Sequence, residues 1–352
     1  MPIRQSGFPP ALSARDLLAA TPAKLRVLTR GRWGPLPAAH SLGLGAGGGA
    51  MGITPSRAWR QLRRGGVLIG LLALGQVSFA AAPSAKSDAA PGASRIVSLN
   101  PSLTAILVAL GAGDLLVGVD DFSARQEPAL GALPTVGGLY DPSLEAVVAL
   151  RPDLVVLVPS AAQRDFRARL ESLGVSVLAI SPLSFEEVLE SIETLGARTG
   201  HAAAAHARVA AIQAARAEVE RAARGRPRPR AVLVLQREPL FVVGSGSFID
   251  DMMRSAGARN IGAEFSEPYP RASLEWLVAA RPEVILDASS EPGTPREFWS
   301  RWPSIPAVEQ GRVVPLAPGV VTLPGPELDR ALRVLGEALA PPETERAARS
   351  AP

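Results

Sequence analysis

The sequence predicts an α/β protein of two Rossmann-like lobes with parallel sheets, joined by one long backbone helix. Three observations carry this. Residues 143–160, SLEAVVALRPDLVVLVPS, recur 130 positions later as SLEWLVAARPEVILDASS at 273–290. Each copy reads as a short helix, an Arg-Pro break and an apolar strand. A solenoid would repeat every ~20–50 residues, so this wider spacing means two matching lobes. Around both copies, short apolar runs alternate with helical patterns, the signature of parallel sheets covered on both faces. Finally, residues 184–223 contain no Pro and are dominated by Ala, Glu and Arg.

The elements follow in chain order. Arg95–Leu99 is a buried strand. Asn100-Pro101 is an N-cap followed by Pro at the first helical position, and Gly111 ends that helix. Leu115–Val119 is a second strand, followed by a turn-rich loop over 120–134. Helix 142–150, strand 153–158, a helix closed by Gly174 and strand 175–180 complete the first lobe. Ser184 and Glu187 form a capping box at the start of the long helix, which has a jog at Gly196–Gly200 and ends at Arg224–Pro229. The second lobe opens with strand 230–236, passes through Gly244-Ser-Gly246 into helix 248–256, and closes with a helix over 326–340. The domain reading is 1–50 an extension or mis-called start, 51–81 a leader, 82–93 a linker, 94–181 the N-terminal lobe, 182–225 the connecting helix, 226–341 the C-terminal lobe, and 342–352 a disordered tail.

The formal net charge of +4 suggests nucleic acid, but the charge is unevenly placed. Ten of the 37 basic residues and one of the 33 acidic residues lie in the first 80 positions, leaving 27 basic against 32 acidic. That remainder does not attract a phosphate backbone, so nucleic acid is excluded as a partner. Arg57, Arg60, Arg63 and Arg64 form a basic n-region, Val67–Val77 an apolar h-region, and Ser78-Phe79-Ala80 a small-x-small site, so cleavage near Ala80 and a periplasmic location are expected. The chain has no Cys. Disulfides, thiolate metal sites and a lipid-modified Cys are therefore excluded, and the mature protein is expected to be soluble and monomeric.

With these parts in order, the chain resembles the cobalamin and iron-chelate class of periplasmic substrate-binding proteins. The resemblance runs over roughly residues 94–340. It rests on Arg95-Ile-Val-Ser-Leu-Asn-Pro-Ser-Leu-Thr104, Leu110-Gly-Ala-Gly-Asp114, Val136-Gly-Gly138, both Leu-Glu…Arg-Pro copies, Val243-Gly-Ser-Gly-Ser-Phe248, Ala256-Gly-Ala-Arg-Asn260 and Ile305-Pro-Ala-Val308 leading to Gly311-Arg-Val313. The resemblance implies delivery of a small-molecule ligand to an ABC importer permease. It also implies one surface Glu per lobe pairing with permease arginines, and the repeat puts Glu145 and Glu275 there. Read from the residues alone, each Glu sits in a first helical turn, where it also complements the helix dipole.

Aromatic side chains flanking a cleft stack on large planar ligands. Tyr140 precedes the first repeat copy, Tyr269 the second, and Phe122 follows the second strand. With Arg237, these are the candidate ligand-binding residues. A cobalamin-like corrinoid is the first reading of the ligand, with a ferric siderophore or haem as the alternative. His201 and His206 are spaced i,i+5 on the connecting helix and do not form a metal pair. Anionic siderophores usually need convergent Arg, and Arg164, Arg237 and Arg271 are the candidates. Glu327 places an anion near the cleft, which argues against an anionic chelate.

The rival class is an exported α/β enzyme. Gly244-x-Gly246 lacks the third Gly of the dinucleotide fingerprint. Asp120-Asp121 and Asp250-Asp251 are adjacent pairs whose side chains diverge. No Gly-x-Ser-x-Gly elbow occurs, and neither lobe carries a His. No catalytic residue, metal site or resident cofactor is expected, and the chain reads as a binding protein.

Overall fold

The computed structural model describes residues 92–160 and 164–341. The expected leader, most of the linker and the tail lie outside these residues. In the N-terminal lobe, β1 (Ile96–Ser98) leads into α1 (Pro101–Ala109). The Asn100 carboxamide oxygen accepts the Ser102 N–H at 2.9 Å, and Pro101 opens the helix as expected. β2 (Leu116–Val119) follows, then α2 (Asp121–Gln126), α3 (Leu144–Ala149), β3 (Leu154–Leu157), α4 (Arg164–Ser172) and β4 (Ser176–Ala179). The sheet order is β2-β1-β3-β4, parallel throughout. The loop expected at 120–134 begins with α2, because Asp120 caps it by accepting the N–H groups of Phe122 and Ser123 at 2.9 and 3.0 Å. Six residues are too few to show helical periodicity in a sequence.

The C-terminal lobe starts with β5 (Arg230–Gln236), with the bounds the apolar run predicts. β6 (Phe241–Val242), α7 (Phe248–Ser255), β7 (Arg259–Asn260), α8 (Leu274–Ala280), β8 (Val284–Asp287) and β9 (Val313–Pro315) follow. The order is β6-β5-β8-β9, with β7 beside the start of β5. β6 is antiparallel and the other pairs are parallel. Short helices α9 (Pro295–Trp299), α10 (Pro306–Glu309) and α11 (Pro318–Val321) pack around it, and α12 (Leu328–Ala338) closes the lobe.

The joint differs from the expected single helix in one respect. Residues 182–225 hold two helices, α5 (Phe185–Thr199) and α6 (Ala202–Ala223). Gly200 is left-handed at φ 77° and caps α5, so the expected jog is a reversal. Glu186 pairs with Arg216 at 2.7 Å, and Glu193 with His206 at 3.2 Å, contacts open only to antiparallel neighbours. The apolar stripes of both helices, Val188, Leu189, Ile192 and Leu195 against Ala205, Val209 and Ile212, share one buried cluster. The long helix is α6, about 33 Å at the usual rise. Its N-cap, His201, stands beside Gly111 of the N-terminal lobe, and its last residue, Ala223, beside Gly257 of the C-terminal lobe.

Candidate functional site

Ligands of open parallel sheets bind at the carboxyl ends of strands, where neighbouring connections leave in opposite directions. In the N-terminal lobe that point lies between β1 and β3, and in the C-terminal lobe between β5 and β8. Two contacts bring the carboxyl edges together. The Phe248 N–H, at the start of α7, donates to the Leu183 carbonyl just after β4 at 2.7 Å. The 322–327 segment, which follows β9 and α11, crosses to α1, where a Cβ on Gly325 would stand 3.9 Å from the Ser102 carbonyl oxygen.

In the N-terminal lobe the Phe122 and Tyr140 loops are joined. The Asp121 N–H donates to the Gly137 carbonyl at 3.0 Å, while Val119 and Val136 hold the 134–138 segment against β2. Gly137 is left-handed at φ 104°, and an added Cβ would lie 2.9 Å from the Asp141 carbonyl oxygen, so this turn needs Gly. Tyr140 and Phe122 are both half-buried. The Arg125 guanidinium lies 4.4 Å from the Phe122 ring centroid. Beneath this edge is a polar network absent from the sequence reading. Ser98, Thr104, Asp120 and Ser123 are fully buried, Thr104 donates to Ser98 at 2.7 Å, and the Ser123 hydroxyl donates to Asp120. Burial pushes the Asp120 carboxyl above its ordinary range despite those bonds.

In the C-terminal lobe, Tyr269 lies on a segment held antiparallel to 240–244. Val242 and Gly244 donate to the Pro270 and Pro268 carbonyls at 3.2 and 2.8 Å. A Cβ on Gly244 would fall 1.9 Å from the Glu267 carbonyl oxygen, so only Gly permits the approach. Tyr269 is 8% exposed and sits in the core, so it does not present an open ring face. Its hydroxyl has no hydrogen-bond partner among the described residues, and burial pushes its pKa up.

Arg237, the fourth ligand candidate, sits at the C-terminal switch point and is 5% exposed. Its Nε donates to Asp287 Oδ2 at 3.1 Å, and its backbone N–H donates to the Glu291 carboxylate at 3.0 Å. Asp287 also accepts the Trp299 indole N–H at 2.7 Å and the Ser289 hydroxyl at 2.5 Å. The guanidinium is thus committed to a buried network. Asp287, Ser289 and Trp299 escaped the sequence reading, since the only local signal is an acid ending the apolar run Val-Ile-Leu-Asp.

Near the lobe junction Glu327 pairs with Arg330 at 3.3 Å. Glu127 follows α2, and its carboxyl is raised above the usual range by burial and by the negative charge of Glu327. The Asp pairs do not act as dyads. Asp250 serves Asn260 and Arg254, while Asp251 accepts the Phe185 N–H. Among the described residues, no cluster of His, Cys, Asp and Glu could hold a metal ion, and no helix is long and apolar enough to cross a membrane.

Glu145 and Glu275 occupy equivalent places. Ser143 and Ser273 cap the two helices by accepting the Ala146 and Trp276 N–H groups, each at 3.1 Å. Both glutamates are exposed in the first turn. The Glu275 carboxyl is held below its ordinary range by its own backbone N–H and the Ser273 hydroxyl.

The fold and its edges can now be set beside known proteins. The chain is 27% identical over 243 residues to the vitamin B12-binding protein of Vibrio parahaemolyticus, covering 66% of this chain and 84% of that one. It is 28% identical over 254 residues to an uncharacterized ABC transporter substrate-binding lipoprotein of Bacillus subtilis, covering 70% and 80%. Among solved structures, the periplasmic heme-binding protein RhuT from Roseiflexus sp. RS-1 superposes with a TM-score of 0.61 at 26% identity, covering 70% of this chain and 98% of that one. The periplasmic binding protein family matches residues 96–318, more than half of the sequence. The chain therefore belongs to the periplasmic binding protein family, and it is a binding protein rather than an enzyme.

Proposed function

We propose that this chain captures a cobalamin-like corrinoid between the carboxyl edges of its lobes and presents it to the permease of an ABC importer, docking through Glu145 and Glu275. It acts as a monomer with no resident cofactor. The observation that carries the ligand class is the charge at the meeting edges. Glu127 and Glu327 put two acids there, Arg330 pairs with Glu327 at 3.3 Å, Arg125 lies over Phe122, and Arg237 is committed to Asp287 and Glu291. With its acids and guanidiniums balanced, this edge offers no convergent set of free arginines to an anionic ferric siderophore, and it suits a bulky, weakly charged ligand better. The similarity to a vitamin B12-binding protein over most of that protein's length supports the same class. Haem is the second reading, favoured by the likeness to a heme-binding structure.

Absorbance titration separates these readings. Cyanocobalamin should bind at micromolar concentration or tighter. Phe122→Ala, at the half-buried ring of the N-terminal edge, should weaken binding by ~1–2 kcal/mol, about tenfold, through lost contact area. Phe122→Leu keeps an apolar side chain, so it guards against loss of fold in the Ala variant. No cyanocobalamin binding at about 100 μM, with tight binding of haemin or a ferric siderophore, would reject the corrinoid. The likeness to a substrate-binding lipoprotein and to a periplasmic heme-binding protein supports a location outside the cytoplasmic membrane. On this reading it is a periplasmic protein whose leader is cut near Ala80. The mass of exported protein should correspond to a start between Phe79 and Ser84, and a retained Met1 or Met51 would overturn it.

A further inference from the structure

The two helices that carry Glu145 and Glu275 are held at their far ends by the same device, built from residues outside the repeat. In the N-terminal lobe, Arg95 stands just before β1. Its Nη2 donates to the Leu150 carbonyl at 2.7 Å and its Nε to the Arg151 carbonyl at 3.2 Å, both at the end of α3. In the C-terminal lobe, Arg230 opens β5, and its Nη2 donates to the Ala280 carbonyl at the end of α8. Leu150 and Ala280 are equivalent in the repeat. Each arginine is itself fixed by the acid that follows the Arg-Pro break. Asp153 accepts the Arg95 N–H at 3.1 Å, and Glu283 accepts the Arg230 N–H at 2.7 Å. The backbone bond returns in both lobes, from Asp153 N–H to the Arg95 carbonyl at 3.0 Å and from Glu283 N–H to the Arg230 carbonyl at 2.7 Å. Between each helix and its strand the chain turns through a left-handed arginine, Arg151 at φ 46° and Arg281 at φ 45°.

Arg95 and Arg230 are 135 positions apart, whereas the repeat offset is 130. The spacing has changed by five residues while the contact to the equivalent carbonyl is kept, so the geometry is retained independently of the repeated stretch. The physical need is clear. A helix of six or seven residues has no stable orientation of its own, so tethers at its ends set where its first-turn carboxylate points. A cation at the last carbonyls also complements the dipole. Two carboxylates that must reach two fixed sites on one partner gain avidity only if their span matches.

We propose that Arg95 and Arg230 are positioning residues for docking: each braces its helix so that Glu145 and Glu275 are presented at a fixed span. This rests on the docking reading of those two glutamates. The test uses the full-length protein with Arg95→Met and Arg230→Met, singly and together. Met keeps the apolar stem but donates nothing. Uptake of labelled cyanocobalamin by cells relying on each variant should fall about tenfold or more in the double variant and less in each single variant. The affinity of the purified double variant for cyanocobalamin should stay within about twofold of wild type, because the braces lie at the opposite end of the helices from the ligand edge. Raising the periplasmic level of the variant should restore part of the uptake, as expected of weakened docking. Lys at both positions, which keeps a donor, should rescue in part. If cyanocobalamin does not bind, haemin serves as the probe in the same cells.

Normal uptake by the double Met variant overturns the proposal. So does a loss of uptake matched by an equal loss of ligand affinity or of folded protein, which marks a purely structural role. A Glu145→Lys, Glu275→Lys protein is run beside it. If that control transports normally, the docking reading fails and the brace role fails with it. If the control is dead while the Arg double variant is normal, only the brace fails.

Discussion

Asp287→Ala should destabilise the folded chain by about 3–5 kcal/mol, the cost of breaking the close buried pair and leaving the guanidinium only the more distant Glu291 carboxylate, 4.0 Å away. The Arg237 and Asp287 side chains are 3% and 0% exposed, so water cannot replace the lost carboxylate. The substitution also strips the Trp299 indole and the Ser289 hydroxyl of their acceptor. Against a typical total of 5–15 kcal/mol, this is a large share of the stability. Asp287→Asn keeps an acceptor for Trp299 and should cost less. The informative variant is the double Arg237→Met, Asp287→Leu, which removes both charges at once. It should recover most of the stability, since a buried pair often contributes little beyond an apolar replacement of similar volume. Chemical denaturation of the three variants checks this. A double variant as unstable as Asp287→Ala would mean that the hydrogen bonds of Asp287, not the stranded charge, dominate. Ligand affinity measured on the folded fraction should change little, because the network faces inward.

Reversing both Glu145 and Glu275 to Lys should abolish uptake while leaving ligand affinity unchanged. Both carboxylates are exposed in the first turns of short helices. A like charge set against permease arginines repels as well as failing to pair, so the defect should exceed that of Glu→Gln and ease as salt screens it. If the glutamates serve only their helix dipoles, the outcome is different: a modest fall in melting temperature, with near-normal uptake. Melting temperature, ligand affinity and transport measured on one double variant separate the two roles. Normal transport by a well-folded double Lys protein would reject docking.

Both predictions differ in how visible they were before the fold was known. Glu145 and Glu275 stand out because the repeat is contiguous, and a first-turn Glu behind a Ser cap is a local pattern. The strand at 230–236, the Asn100-Pro101 cap and the capping box at Ser184 and Glu187 are legible for the same reason, since each is decided by residues within one turn or one strand. Tyr269 was visible as an aromatic near a lobe edge, but not as a buried ring with an unpartnered hydroxyl. That depends on the close approach of Gly244 to Glu267, more than twenty residues away.

What the sequence by itself determined is therefore the local and the repeated: the alternation of strands and helices, the two lobes, and the paired glutamates. The tertiary structure alone decided whether α5 and α6 run on or fold back. Gly can continue a helix or turn left-handed, and the burial of two apolar stripes against each other selects the reversal. It also decided that Arg237 is buried against Asp287, and that Arg95 and Arg230 reach the ends of helices some fifty residues further along the chain. An arginine's sequence neighbours set neither its burial nor its partner. Both follow from which strands lie side by side, and strand order is a property of the whole sheet.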